Sequence, residues 1–338
     1  MLIPTVRPAV RVCDLYGTVD KNVLPKYFKQ NYSWTGSGSA AIYLAIKASG
    51  AKKVAIPAFT CSIVADTVRK TGIRPQFYDA GIVPTLADVR NALKSKPDLI
   101  IIAYNFGLVP DELDKILDLC KRQKVQVLED CAHAFGFGQN ADFTIYSAGI
   151  AKSLSHYGGF LVSKRKLDLL SLSDVPLISE VKFMLQSVGA QIVFNKHIYS
   201  FYNTFVNRYI EKYPTAKIYS ISSFAKKVIL RQLKRFDHIQ LRRTTNFELA
   251  KKLKHVVKTK KRSDLYLVLQ SNHRNKLSKY LRSRSIEFVP TKSFHNLGGP
   301  LFKKAAIAEK EHLAFSLYRS KNDMEVVIDA IKTIEKRL

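Results

Sequence analysis

Three short apolar runs follow one another between positions 125 and 162, each cut off by turn-forming or polar residues. Val125 to Leu128 ends in Glu129-Asp130, Phe143 to Ser147 follows a glycine-containing loop, and Phe160 to Val162 is entered through Gly158-Gly159. Runs this short and this continuously apolar read as buried strands of a parallel sheet. The same rhythm starts earlier. Val54 to Pro57, Ile73 to Asp79 and Asp98 to Tyr104 read as strands, and helices are expected near Ile63 to Lys70, over Leu86 to Leu93, and from a cap at Asp111 to Arg122. Strand and helix alternating from Val54 to Val162 predict a doubly wound, mainly parallel α/β sheet. Residues 1–33 are weakly patterned and are expected to lie on the larger domain or reach into the smaller one.

In such sheets ligands sit at the carboxyl ends of the strands, where Asp130 and Ser147 fall. Lys152 comes just beyond. A carboxylate at one strand end and a lysine after the next is a pairing that pyridoxal phosphate (PLP) needs. The lysine holds the aldehyde as a Schiff base and the carboxylate keeps the pyridine nitrogen protonated. Spacing alone leaves other chemistries open. A strand-end carboxylate is often a helix cap or ion-pair partner, and Ser147 could be a buried strand serine bonded to backbone. A second feature lies upstream, where Ser37-Gly38-Ser39-Ala40-Ala41 precedes an apolar-periodic segment running to Ala48. Small residues at a helix start expose backbone N–H groups, which form a ready anion site, though a serine N-cap explains them equally well.

The residues resemble a family, the sugar aminotransferases of the DegT/DnrJ/EryC1/StrS type, which are fold type I PLP enzymes. Its "EDxAQAxG" strand end is similar to Glu129-Asp130-Cys131-Ala132-His133-Ala134-Phe135-Gly136. Its "FSFxxxK" segment is similar to Tyr146-Ser147-Ala148-Gly149-Ile150-Ala151-Lys152, followed by the family's glycine pair at Gly158-Gly159. Its "SGTxAL" phosphate loop resembles Ser37 to Ile42. The resemblance implies that Lys152 is the Schiff-base lysine and later the proton carrier. It implies that Asp130 partners the pyridine nitrogen, that His133 stands where glutamine usually meets the ring's 3-hydroxyl, and that Gly38, Ser39 and Ser147 hold the phosphate. A lysine at this position implies transamination, whereas relatives with histidine there dehydrate.

The departures matter as much. "PxFTFxAT" normally places an aromatic over the ring, and here that position is Cys61, so either Phe59 substitutes or a thiol covers the ring face. The glutamate before the glycine pair is Tyr157. The asparagine that reaches the partner subunit's phosphate has no counterpart, Ile218 falling near it. His295, near the family's "PLH" histidine, is a candidate substrate contact whose alternative role is structural.

The resemblance implies a large PLP-binding domain over 1–215, with an atypical helical insertion at 165–217, and a small C-terminal α/β domain over 216–338. Within the latter, Leu265 to Leu269, Asn275 to Arg284, Ile286 to Pro290 and Asp323 to Lys336 read as strand, helix, strand, helix. It further implies a homodimer and amino transfer, from glutamate, to a keto group of a nucleotide-linked sugar.

Composition adds one anomaly to this picture. The 338 residues carry a formal charge of +28. Residues 1–150 hold 18 basic and 13 acidic side chains, and residues 151–338 hold 37 and 14. Charge of this size favours anionic partners such as nucleotide-sugars or acidic lipid headgroups. The insertion's basic and aromatic residues, from His197 through Arg208, raise the prospect of a contact with an anionic membrane surface. Nucleic acid is not favoured, since no binding motif accompanies the basic run Lys251 to Arg262. Four cysteines without CxxC pairs or zinc spacing suggest a reduced, cytoplasmic protein with no metal. Two other functions stay open: a PLP enzyme acting on a non-sugar or lipid-linked ketone, and a non-catalytic binding protein that keeps the fold.

Overall fold

The computed structural model describes all residues except 1, 5, 7, 169, 196–197, 200–215 and 290–293. Seven strands form the central sheet: β1 (Asn31–Thr35), β2 (Val54–Pro57), β4 (Gln76–Tyr78), β5 (Leu99–Ala103), β6 (Gln126–Asp130), β7 (Phe143–Ala148) and β8 (Gly158–Ser163). Their spatial order is β1-β8-β7-β6-β5-β2-β4. The pairs from β4 through β7 are parallel. β8 departs from the sequence expectation, for it runs antiparallel to both β7 and β1. The reason is chain length: the connection 149–157 is shorter than the roughly one dozen residues a parallel return requires. β1 was not expected at all. It is an edge strand of mixed polarity, exposed at Asn31 and Tyr32 and anchored by Trp34 against Phe160, with ring centroids 4.3 Å apart.

Side chains alternate across the sheet, so each strand feeds two cores. Leu99, Ile101, Leu128, Ile145 and Leu161 pack beneath α1 (Gly38–Ser49) and α2 (Ser62–Lys70). Ile100, Ile102, Val127, Tyr146 and Phe160 face the opposite layer, with Val89 of α3 (Leu86–Ala92) and Ile116 of α4 (Leu113–Arg122). Each such fully buried aliphatic side chain contributes about 1.5–3 kcal/mol of transfer free energy. This two-sided burial is why the strands read as continuous apolar runs. Ser37 caps α1 by accepting the Ala40 N–H, and Gly50, at φ 69°, ends it. Asp111 does not cap α4. Its carboxylate accepts the Lys260 N–H at 2.7 Å instead, and the N-cap position is Glu112.

A further core of its own surrounds the antiparallel pair β9 (Tyr266–Gln270) and β11 (His312–Ser316). α7 (Phe236–Ala250), α8 (Arg274–Ser283) and α10 (Lys321–Glu335) pack on it through Ala250, Leu277, Leu281, Met324, Val327 and Ile331. Of the strand expected over Ile286 to Pro290, Ile286 makes only an isolated bridge, to Ile3. The strand that pairs is β11, directly after α9 (Lys303–Glu311). α6 (Ser223–Lys234) packs instead into the core of the large sheet through Ala225, Ile229 and Leu233. α5 (Leu177–Val193) rests Phe183 on Tyr157, with ring centroids 4.1 Å apart, and leaves Leu177, Ile178, Val181 and Leu185 exposed. Most of the aromatic-basic stretch from His197 to Arg208 lies outside the described residues. A short ribbon joins the two bodies, β3 (Phe59–Cys61) pairing with β10 (Phe294–Asn296) so that Cys61 faces Phe294 and Thr60 faces His295.

Candidate active site

Lys152 sits at the tip of a loop that closes on itself where β7 ends. The Gly149 N–H donates to Leu154 O at 2.8 Å, and the Lys152 N–H donates to Gly149 O at 2.9 Å. The two carbonyls flanking the lysine are held from the C-terminal part of the chain. Tyr266 Oη donates to Ala151 O at 2.6 Å, and Arg243 Nη2 to Ser153 O at 3.3 Å. Burial pushes the Arg243 guanidinium down to about 10, against the pull of Tyr318, Tyr266 and Asp264. Tyr266 carries no local signature, whereas Arg242-Arg243 resembles an arginine pair of the family.

Asp130 closes β6 and is buried beside the lysine. Its Oδ1 accepts the Ala132 N–H at 3.0 Å. Burial pushes this carboxyl above the ordinary range, while the Ala132 N–H and Lys152 act in the other direction. Burial also pushes the Lys152 amine down, opposed by Cys61 and Asp130. Glu129, one residue earlier, points to the opposite face. It accepts Tyr104 Oη at 2.7 Å, Thr144 Oγ1 at 2.8 Å and the N–H groups of Asn140 and Ala141 at 3.2 and 3.3 Å.

His133 lies between the lysine and a strained turn. Its Nε2 is 2.8 Å from Lys152 Nζ, and its Nδ1 accepts the Phe106 N–H at 3.1 Å. Phe106 is a non-glycine residue at φ 57°, a conformation that costs energy and needs enforcement. Its neighbour Gly107, at φ 85°, could carry no side chain, because a Cβ would fall 2.0 Å from Ser263 Oγ. That same hydroxyl donates to His133 O at 2.7 Å. The rings of Phe294 and Tyr266, both with centroids 5.5 Å from the imidazole, complete the enclosure. Burial foremost, and Lys152 next, hold the imidazole well below its usual range.

The start of α1 meets the end of β7. A Cβ on Gly38 would lie 2.8 Å from Ser147 Cβ and 2.9 Å from its Oγ, so only glycine permits the approach. Ser39 is buried in the first turn of the same helix. The segment around Ile218 lies against this loop of its own chain. Ser37 Oγ donates to Lys217 O at 2.5 Å, and the Gly36 N–H to Tyr219 O at 3.0 Å.

Cys61 faces the same space, its thiol pushed up by burial and pulled down by Lys152. Phe59 turns away, packed edge-on to His312 at 5.1 Å between ring centroids. Of the two residues that could cover a ring, the structure brings Cys61 to the lysine. His295 is not brought there: it pairs with Thr60 on the other side of the ribbon, and its Nδ1 lies 3.5 Å from Glu309. Tyr157 is also elsewhere, its hydroxyl 2.8 Å from Ser222 Oγ.

The assembled groups fit pyridoxal phosphate. There is an amine for its aldehyde, a buried carboxylate with unspent acceptor capacity for its nitrogen, and a glycine-lined helix start beside a serine for its phosphate.

Comparison with known proteins agrees. Residues 22–306 match the model of the DegT/DnrJ/EryC1/StrS aminotransferase family. GDP-perosamine synthase of Escherichia coli O157:H7 is 26% identical over 161 residues, which is 42% of this chain and 43% of that protein. A UDP-N-acetyl-3-dehydro-alpha-D-glucosamine 3-aminotransferase of Acidithiobacillus ferrooxidans is 31% identical over 106 residues, or 30% of this chain and 28% of the relative. The chain thus spans less than half the length of these two relatives. Among solved structures, Spr1654 of Streptococcus pneumoniae in its PLP form superposes with a TM-score of 0.73 at 17% identity, covering 100% of this chain and 99% of that one. The sugar aminotransferase CalS13 of Micromonospora echinospora gives 0.69 at 14% identity, covering 98% and 100%. At these identities the superpositions establish the fold: fold type I, with its large, mainly parallel sheet.

Proposed function

The chain belongs to the DegT/DnrJ/EryC1/StrS aminotransferase family, and from that premise we propose that it is a PLP-dependent enzyme moving an amino group, from glutamate, to a keto group of a nucleotide-linked sugar. One observation carries the reading: the amine of Lys152 and the carboxylate of Asp130 share one buried site at the strand ends, with the start of α1 against Ser147. The names of the two curated relatives, both of which act on nucleotide-sugars, support the substrate class.

Bound there, the cofactor supplies an electron-accepting ring. Asp130 would hold a proton at the pyridine nitrogen, Gly38, Ser39 and Ser147 would bind the phosphate, Cys61 would cover the ring and His133 would meet the ring oxygen. Lys152 Nζ would hold the cofactor's aldehyde and, as a free amine, would serve as the base that carries the proton of the donor's α-carbon. The surrounding burial excludes water from that transfer.

The test is a two-stage absorption experiment. Glutamate added to the PLP-loaded protein should convert the visible band to the near-ultraviolet band of the amine form of the cofactor, and a keto nucleotide-sugar should restore it. A band that persists in glutamate, in alanine and in glutamine would overturn amino transfer.

The division into a cofactor-binding body over 1–215 and a small domain over 216–338 belongs to the same proposal. The separate core around β9 and β11 supports the small domain, while α6 packs in the core of the large sheet. A homodimer also belongs to the proposal, supported by the exposed apolar row of α5, and light scattering should return twice the chain mass. A ketone on a lipid carrier is the second reading, favoured by the same row within the strongly basic half. It predicts a monomer that sediments with anionic vesicles. Among the described residues, no helix is long and apolar enough to cross a membrane.

A further inference from the structure

The contact between His133 and Lys152 specifies protons as well as positions. A neutral imidazole carries one N–H, and the other ring nitrogen accepts. The Phe106 N–H donates to Nδ1 at 3.1 Å, so Nδ1 is the acceptor and the proton resides on Nε2. That Nε2–H lies 2.8 Å from Lys152 Nζ. An ammonium there would oppose N–H to N–H, and an imidazolium would oppose its Nδ1–H to the Phe106 N–H. The one arrangement in which all three groups are satisfied is Phe106 N–H to Nδ1, and Nε2–H to the lone pair of an uncharged Lys152 amine.

We propose that His133 is a positioning residue that holds Lys152 as a free amine, and that the Phe106 backbone amide sets the imidazole tautomer this requires. The inference rests on the proposed PLP function, and deepens it by assigning how the lysine is kept ready. Attack by the Nζ lone pair on an aldehyde forms the C–N bond, and the carbonyl oxygen leaves as water carrying both Nζ protons. A free amine enters that step without first shedding a proton.

The geometry around the pair supports the assignment. Phe106 is kept at positive φ by a turn in which Gly107 tolerates no Cβ, and Ser263 ties the turn to His133 O, so the amide is aimed rather than incidental. The charged and titratable groups facing the pair come from each packed element. Asp130 on β6 favours an ammonium. The Cys61 thiol on β3 stays protonated through burial. Tyr266 on β9 commits its hydroxyl to Ala151 O, Arg243 on α7 reaches Ser153 O, and His312 on β11 is held down to about 4 by burial. Cys61 and Asp130 are therefore the groups pulling toward the charged amine. Burial and the Nε2–H pull the other way.

The test uses the cofactor-free protein, so it is read independently of whether PLP binds. Brief labelling with acetic anhydride across pH, followed by mass spectrometry, gives the pH of half-maximal reactivity for Lys152 and, as an internal standard, for the exposed Lys115. Lys152 should titrate well below Lys115. In His133→Gln the amide can turn its oxygen to an ammonium, so the Lys152 profile should move up by roughly one pH unit, a tenfold loss of labelling rate at neutral pH. In parallel, nitrogen NMR of the wild-type imidazole should show a protonated Nε2 and an unprotonated Nδ1. Superimposable labelling profiles for wild type and His133→Gln, or a proton on Nδ1, would overturn the proposal. The NMR result decides even where the variant fails to fold. Failure of the PLP reading would show separately, as absence of a lysine-dependent band on adding the cofactor.

Discussion

The two faces of β6 hold neighbouring carboxylates in opposite circumstances. On one face Glu129 is fully buried and accepts four donors, two side-chain hydroxyls and two backbone N–H groups. On the other face Asp130 is also buried, yet takes a single hydrogen bond from the described residues and has the Lys152 amine as its titratable neighbour. Four good donors compensate the loss of hydration, so Glu129 welds β5, β6 and β7 together at no net electrical cost. Asp130 lacks that compensation, and its carboxyl is pushed up. Saturation marks the structural carboxylate, and unspent acceptor capacity beside a buried amine marks the one that awaits a ligand.

Substitutions can break this contrast in graded steps. Glu129→Ala orphans the Tyr104 and Thr144 hydroxyls and two N–H groups, and should cost about 3–5 kcal/mol in urea unfolding. Asp130→Asn should do the reverse. Stability should change by less than about 1 kcal/mol while turnover falls roughly 10²–10³-fold, because what is lost is charge at the cofactor nitrogen. Equal losses of stability in the two variants would end the distinction. Gly38→Ala drives a methyl into Ser147, and should cost about 1–3 kcal/mol and weaken cofactor binding in a titration. Cys61→Ser should be the mildest, within about 1 kcal/mol, with a shifted cofactor absorption band as its readout.

Titration sharpens the contrast further. The Asp130 carboxyl is raised in the folded state, so the folded protein binds its proton more tightly than the unfolded chain. Its contribution is present below about pH 4 and is lost as pH rises through the folded value. Asp130→Asn should therefore gain stability relative to wild type between acid and neutral pH. The Lys152 amine is lowered, so its contribution is present above the ordinary lysine value and is lost as pH falls through the folded one. Lys152→Met should accordingly stabilise the cofactor-free protein at neutral pH. Urea titrations at several pH values measure both, and parallel curves for wild type and either variant would contradict the burial argument.

Much of this site could be read in the sequence because it is local. Asp130, His133, Ser147 and Lys152 fall within one strand-loop-strand stretch, and Gly38-Ser39 opens a recognisable helix. What escaped is tertiary or belongs to the backbone. Tyr266 meets the lysine loop across 115 positions, and Arg243 across 90. The decisive group on Phe106 is its amide, which every residue but proline possesses. The direction of β8 could have been read from the shortness of 149–157. The missed β1 and β11 have simpler causes: one is polar at an edge, and the other is too short to be told from the helix before it.

The central claim is that Lys152 is the lysine that captures the cofactor's aldehyde, and reduction with borohydride followed by peptide mapping tests it most directly. The protein is incubated with PLP at low excess, reduced and digested. The account predicts one pyridoxyl label, on Lys152, lost in Lys152→Met and reduced in Gly38→Ala. Label scattered over the exposed lysines, and unchanged by Lys152→Met, would contradict it.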